Sequence, residues 1–470
     1  MLLQQYYLGC LAHASYLIAD EATSTAVVVD PQRDIDQYLA DAEAHGLHIR
    51  YVFLTHFHAD FLAGHLELYG RTGATICLGA QAQADYAFTP FHNGETLTFG
   101  HVRLMVLETP GHTPEAISIV VYDLAQNASR PHAVLTGDTL FIGDVGRPDL
   151  MASCGVSATE LAGMLYDSLH HKLLTLPDET LVYPAHGAGS LCGKNLSNDT
   201  CAPLGLQRRM NAALQSMSKA AFVALVTANQ PEVPAYFAYA ADLNRRQRST
   251  LTQALESTLT PLTLEQVVGL MHADAQVVDT RQPSVYATRH LTGSLNIGLH
   301  GQYALWAGTV LDRHRPIVLI TEPGHETEAT MRLGRIGFDH VAGYLAGGID
   351  ALAARPELTR QTARLTPLML AAALASTDPP LLLDVRTPQE RHTRYIAGSL
   401  HIPLHRLQRQ MHDVPRGHTM VVYCAGGYRS SLAVGLLEPH RITPLADLDG
   451  GMTAWADAGL EMLSPEATSA

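Results

Sequence analysis

Two stretches of the chain, VVDTRQPSVYATRHLTGSLNIGL from Val277 and LLDVRTPQERHTRYIAGSLHIPL from Leu382, are versions of one another. Asp279 and Asp384 stand 105 residues apart, and the later Gly348 and Gly451 stand 103 apart. So steady an offset, held along the whole length of a small domain, rules out a short-period solenoid and requires two copies of one domain. Each copy alternates brief apolar runs (VVDT and IVLIT; LLLDV and MVVYC) with helix-like segments, the pattern of a doubly wound parallel sheet. The copies are expected to occupy residues 258–357 and 362–465.

A chain of 470 residues has room for about three domains, so a different one has to fill residues 1–250. There AVVVD, RYVFLTH, VRLMVLETPGH, ISIVVYD and AVLTGD read as strands, DIDQYLADAEAHG reads as helix, and 205–258 reads as a polar, Pro-containing helical bridge. A hydrophobic fraction of 47% with 16% charged residues belongs to packed domains. The formal charge of −14 and the sequence pI of 5.9 argue against nucleic acid or an anionic membrane as partner, because both call for clustered basic surface. No apolar run approaches the ~20 residues that span a bilayer, and MLLQQYYLGC lacks the basic start and apolar stretch of a signal peptide. A cytoplasmic protein is the expectation. Six scattered cysteines, at 10, 77, 154, 192, 201 and 424, point to free or catalytic thiols and not to a disulfide framework.

Four loops of the first region each close a β-rich run: THFHAD (55–60), TPGHT (109–113), TGD (136–138) and YPAHG (183–187). Imidazole and carboxylate groups at strand ends, in loops tightened by Gly and Pro, are how a rigid sheet holds a cation with open coordination positions. His13, His65, His92 and His101 lie outside these loops and read as ordinary histidines.

With these four loops the region resembles the metallo-β-lactamase fold, an αββα sandwich, and in particular its persulfide dioxygenase branch. That branch is similar to glyoxalase II in fold but binds one iron in place of two metals. The resemblance implies His56, His112 and Asp138 as ligands of one Fe(II) per chain, a 2-His-1-carboxylate triad, with Zn(II) as the alternative ion. In two-metal hydrolases of this fold a second cation uses Asp60, residue 61, His186 and a shared Asp138; here residue 61 is Phe61. The phenyl ring deletes a ligand, and it also packs under the loop. His58, Asp60 and His186 are left as weak ligands, as groups that orient ligands, or as substrate contacts. GRPD (146–149) matches a GRTD-like segment in which the Arg contacts the thiol carrier. Arg147 is therefore either a substrate-binding residue or the partner of Asp149 or Asp144. The implied reaction turns glutathione persulfide, or another low-molecular-weight persulfide, with O2 and water into a thiol and sulfite.

The repeats resemble rhodanese domains. In the second, VVYCAGGYRSSLA sets Cys424 directly after an apolar strand and closes a short loop on Arg429. Backbone N–H groups of Ala425, Gly426, Gly427 and Tyr428, and the helix that follows, would face the sulfur and favour thiolate or an anionic persulfide. Cys424 and Arg429 are thus the catalytic pair, and 425–428 the substrate cradle. Asp384 and Arg386 read as structural. In the first copy Thr321 stands opposite Cys424 and Glu326 opposite Arg429, so that copy is expected to be silent and to serve as spacer or subunit contact, a homo-oligomer included. The whole order resembles persulfide dioxygenase–sulfurtransferase fusions. Sulfite joins the two activities, because Cys424 can carry sulfane sulfur to sulfite, giving thiosulfate, or work in reverse. Cys192 and Cys201, near the His186 loop, either relay sulfur or stand by. The rival readings are a glyoxalase II-like or single-zinc thioester hydrolase, and a non-enzymatic sulfur carrier or sensor.

Overall fold

The computed structural model describes residues 1–150, 155–442 and 444–464; Cys154 lies outside them. The chain divides into two compact units, one of residues 1–253 with 334–337, the other of 254–333 with 338–470.

The first unit has two six-stranded sheets. One runs in chain order through Leu2–Leu8, His13–Asp20, Thr25–Val29, His48–Phe53, Thr75–Gly79 and Thr89–Phe91. The other runs in space through Ala202–Pro203, Leu181–Pro184, Ala133–Gly137, Ile117–Asp123, Val102–Glu108 and Thr96–Phe99. Successive strand residues face opposite sides, and Ile117–Asp123 uses both. Ile117, Ile119 and Val121 join Tyr16, Ile18, Val27, Val29 and Phe53 in the core between the sheets. Val120 and Tyr122 face helices instead, where they meet Leu165, Leu169 and Phe222.

The helix Ala158–His171 starts at a capping box, in which Ser157 Oγ accepts from the Glu160 N–H and Glu160 answers the Ser157 N–H. Its Leu161, Leu165 and Leu169, four residues apart, form the stripe it buries on that sheet. Helices on both outer faces complete the αββα sandwich that the resemblance implies. The expected bridge differs from a linker. Phe222 and Val226 of the helix Lys219–Thr227 belong to the core, and Asn244, last residue of the helix Phe237–Asn244, is wholly buried.

In the second unit each repeat forms a five-stranded, all-parallel sheet. The spatial order of the first is Pro261–Leu262, Val341–Leu345, Ile317–Ile320, Gln276–Asp279 and Leu295–Asn296. The second repeats it with Ala363–Leu365, Leu445–Leu448, Met420–Tyr423, Leu381–Asp384 and Leu400–His401. Strands covered on both faces read as continuous apolar runs, which is why QVVD, IVLI and MVVY carry so little alternation. Both copies keep one clasp. Arg281 Nε donates to Asp279 Oδ1 at 2.9 Å and Nη2 to the Arg289 carbonyl at 2.8 Å; Arg386 does the same with Asp384 (2.9 Å) and Arg394 (2.8 Å).

Candidate active sites

The four loops of the first unit meet at one end of the sandwich. His56 follows the strand His48–Phe53, and its Nδ1 lies 3.0 Å from Thr55 Oγ1, which in turn donates to Asp30 Oδ2 at 2.8 Å. The ring is thereby held by one nitrogen, and Nε2 points inward, 3.7 Å from Asp138 Oδ2. His112 is fixed in the same way, with Nδ1 2.9 Å from the Arg147 carbonyl and Nε2 3.4 Å from Asp138 Oδ2. Asp138 follows Gly137, whose φ of +52° suits glycine and where a Cβ would come within 2.5 Å of Thr55 Oγ1. His56 Nε2 and Asp138 Oδ2 are buried without a hydrogen-bond partner among the described residues. Stranded polar atoms of this kind are costly unless something binds them.

One ligand atom from each of His56, His112 and Asp138 lies within 4.8 Å of the others, the spacing of a metal site, so the residues present fit an ion. Burial lowers both imidazoles, which favours the neutral, ligating form. Burial opposes ionisation of Asp138, but the imidazoles of His186 and His56 outweigh it and hold the carboxyl well below the usual range.

A second group of the same kind stands beside it: His58, Asp60 and His186. His186 Nδ1 bonds to Asp138 Oδ1 at 2.7 Å, and Nε2 lies 3.0 Å from Asp60 Oδ2 without a hydrogen bond's alignment. Burial alone would lower His186, but Asp138 and Asp60 raise it well above an ordinary imidazole. His58 Nε2 is 3.1 Å from Asp30 Oδ1. Phe61 is 1% exposed and packs its ring 4.5 Å from His58 and 4.0 Å from His13.

His13, read from the sequence as ordinary, is fully buried here, 5.5 Å between ring centroids from both His58 and His186, with neither nitrogen bonded among the described residues. A lone His in a hairpin carries no spacing signal, so only the fold finds it. Asn244 is the other residue the sequence hid. Its Nδ2 donates to the carbonyls of His58 and Phe61, both at 2.8 Å, and its Oδ1 accepts from the Ala63 N–H at 2.9 Å, which pins the metal loop.

Arg147 is ion-paired with Asp149 in this structure. Nε donates to Asp149 at 2.7 Å, Nη1 to the Leu191 carbonyl at 3.2 Å, and Nη2 to Asp149 and the Pro231 carbonyl, with the residue 1% exposed. Its carbonyl holds His112 Nδ1. Cys192 is buried within ligand distance of Asp138 and His186, whereas Cys201 is exposed.

In the second unit Cys424 ends the strand Met420–Tyr423, where the strand order reverses between that strand and Leu381–Asp384. Ligand sites of doubly wound sheets form at such switch points. Gly427 donates its N–H to Cys424 Sγ at 3.1 Å and begins the helix Tyr428–Leu437. Two side chains of the loop have partners of their own. Arg429 is engaged by Glu390 on both nitrogens (2.7 and 2.5 Å), and that pair, against the cost of burial, brings Glu390 down to about 2. Tyr428 turns its side chain away and donates from its hydroxyl to the Gly298 carbonyl at 2.7 Å, its ring lying against Gly301, both in the first repeat.

The first repeat uses the matching loop donor differently. Gly324 matches Gly427 in place and conformation (φ +90° and +96°), but its N–H donates to Glu326 Oε2 at 2.9 Å. The group that faces a thiol in one repeat is consumed by a carboxylate in the other.

The Metallo-beta-lactamase superfamily profile matches residues 8–186, and the Rhodanese-like domain profile matches 263–355 and 366–458. The mitochondrial persulfide dioxygenase ETHE1 of Bos taurus is 32% identical over 190 residues, 40% of this chain and 68% of that one. The cytoplasmic hydroxyacylglutathione hydrolase of Arabidopsis thaliana is 35% identical over 184 residues, 38% of this chain and 66% of the relative. A solved metallo-beta-lactamase from Staphylococcus aureus subsp. aureus COL superposes with a TM-score of 0.66 at 30% identity, covering 73% of this chain and 98% of that one. No described helix is long and apolar enough to cross a membrane. The chain belongs to the metallo-β-lactamase superfamily, in its ETHE1 persulfide dioxygenase branch, and carries two rhodanese-like domains C-terminal to that region.

Proposed function

We propose that the first unit is a mononuclear non-haem iron persulfide dioxygenase and that the second repeat is a sulfurtransferase acting through Cys424. The observation that supports this best is the buried triad of His56, His112 and Asp138, with ligand atoms left free and turned toward one another. Bound by two imidazoles and one carboxylate, Fe(II) supplies open positions at which a substrate sulfur and dioxygen can meet.

The chain's own residues prepare that site. Thr55 and the Arg147 carbonyl hold the imidazoles by Nδ1 so that Nε2 faces inward. Asp138 is kept ionised, and Phe61 and Phe141, both buried, line the neighbouring space. The substrate is glutathione persulfide or another low-molecular-weight persulfide, consumed with O2 and water to give the thiol and sulfite. Cys424 takes sulfane sulfur from a second persulfide and passes it to sulfite, giving thiosulfate; the reverse transfer uses the same groups. The described cysteines are free, as a reducing compartment such as the cytoplasm keeps them.

Protein purified under nitrogen should hold about one Fe(II) per chain and take up oxygen when given glutathione persulfide. Two tightly held zinc ions per chain with no oxygen uptake would replace this reading by a second one, a two-metal thioester hydrolase. That alternative has one observation in its favour, the intact group of His58, Asp60 and His186. Phe61→His tests what keeps that group from a second ion. An imidazole beside His58 should raise occupancy by a second divalent metal, read by mass spectrometry of the metal content, and should slow oxygen uptake. Unchanged stoichiometry with full activity would reduce Phe61 to packing.

A further inference from the structure

The edge strand Ala363–Leu365 brings a guanidinium to the rim of the Cys424 loop that neither proposed activity yet uses. Arg364 stands opposite Asp447 in the parallel register. Its Nη2 lies 2.6 Å from Asp449 Oδ1, and its Nε lies 3.5 Å from Asp447 Oδ2 with no hydrogen-bond partner among the described residues. The same Nη2 is 3.6 Å from the point a Cβ on Gly427 would occupy, and Gly427 is the residue whose N–H reaches Cys424 Sγ at 3.1 Å. The turn after Asp449 also grips this loop, since Met452 and Thr453 donate their N–H groups to the Cys424 and Ala425 carbonyls at 2.8 and 2.9 Å. Arg429, meanwhile, keeps both terminal nitrogens on Glu390.

The first repeat shows that the fold does not need these charges. Pro261 pairs with Tyr344 there as Arg364 pairs with Asp447, and Leu319 pairs with Tyr344 as Val422 pairs with Asp447. The Ala346 N–H donates to the Leu262 carbonyl as the Asp449 N–H donates to that of Leu365, both at 2.9 Å. Pro261, Tyr344 and Ala346 thus hold the places of Arg364, Asp447 and Asp449, and the same five-stranded sheet forms around them. The three charges stand only in the repeat that carries Cys424.

We propose that Arg364 is the binding residue for the oxyanion that takes sulfur from Cys424, sulfite in the forward direction and the sulfonate end of thiosulfate in reverse. This rests on Cys424 being the sulfur carrier. The step balances as Cys424–S–S⁻ + SO3²⁻ → Cys424–S⁻ + S–SO3²⁻. The lone pair on the sulfite sulfur attacks the outer sulfur, the S–S bond breaks, and Cys424 leaves as thiolate, with no outside oxidant or reductant. A dianion must here approach an anion, and a guanidinium beside the loop offsets that repulsion while offering paired donors to the oxygens. Asp447 and Asp449 hold the guanidinium at the rim, and Asp449, which is half exposed, is the partner an incoming oxyanion displaces.

The test is the KM for sulfite of the full-length protein given glutathione persulfide, with thiosulfate quantified against the Cys424→Ser background. Loading of Cys424 is read separately, as persulfide on the Cys424 peptide by mass spectrometry. Arg364→Gln should raise the KM for sulfite on the order of tenfold or more with loading unchanged, and Arg364→Lys should recover part of it. Asp449→Asn breaks the same ion pair from the other side and should not raise the KM, because it removes the carboxylate that competes with the anion. A pair that merely braces the loop predicts instead that both variants are impaired alike, in loading as in transfer. That result, or an unchanged KM in Arg364→Gln, would overturn the proposal while leaving the sulfurtransferase reading in place. A wild-type protein that loads Cys424 but passes no sulfur to sulfite would sink both. Should Arg364→Gln fail to fold, Arg364→Lys against Asp449→Asn decides, by whether the two KM values part or rise together.

Discussion

Cys424→Ser is expected to leave persulfide-dependent oxygen uptake near its wild-type rate while abolishing sulfur transfer to sulfite, so that sulfite accumulates in place of thiosulfate. His112→Ala should do the reverse. The two residues lie in different compact units, and each rests on bonds within its own unit. Cys424 depends on the Gly427 N–H and Ser430, whereas His112 depends on the Arg147 carbonyl and Asp138. Loss of a covalent nucleophile costs on the order of 10³-fold or more. Removing an imidazole from a three-ligand site should exceed the roughly 10–100-fold that losing even an outer partner of a metal ligand costs. Thr321→Ala, in the copy whose loop donor is already taken by Glu326, should change neither rate. The assay supplies glutathione persulfide, records oxygen, and separates sulfite from thiosulfate by labelled-thiol chromatography. A Cys424→Ser enzyme that still made thiosulfate at the wild-type rate would remove this loop from the chemistry.

The second large effect is expected away from any ligand. Asn244→Ala removes three buried hydrogen bonds and leaves the carbonyls of His58 and Phe61 and the N–H of Ala63 without partners. Each orphan costs about 1–3 kcal/mol, so a loss of roughly 3–5 kcal/mol is expected. The residues set adrift are those between His56 and the helix His65–Thr72, so the variant should also lose its metal at a lower chelator concentration. Urea unfolding followed in the first unit, together with a chelator titration, would measure both. A change below about 1 kcal/mol with unaltered metal retention would mean that the loop keeps its shape without Asn244.

The metal loops were legible because their chemistry and their turn-formers sit side by side. His56, His112, Asp138 and His186 each follow a strand-like run and are flanked by Gly, Pro or Thr, and the structure brings all four together. The difference between the two repeats at the loop was legible for a similar reason: Thr321 and Glu326 occupy aligned positions, and geometry adds that Glu326 takes the Gly324 donor. What stayed hidden has its meaning in long-range contact. His13 joins the metal cluster from a hairpin, and Asn244 reaches it from a segment that reads as a linker. Glu390 shows a third kind of concealment. The TPQE run at 387–390 announces a helix start, but nothing in it announces that the same carboxylate will hold Arg429.

The helix that carries the sulfur loop does not rest on its own repeat alone. Ser431 donates to Asn296 Oδ1 at 2.7 Å, Gly435 lies against the Ser294 carbonyl, and Tyr428 holds the Gly298 carbonyl. The first repeat supplies a bearing surface for the second, which sets that part of it under constraint. Residues 294–301 answer to a sequence more than a hundred positions away, and a change there has to be matched in the helix that begins at Tyr428. An engineer who trimmed the chain to its one reactive repeat would remove the surface against which that repeat's loop is set.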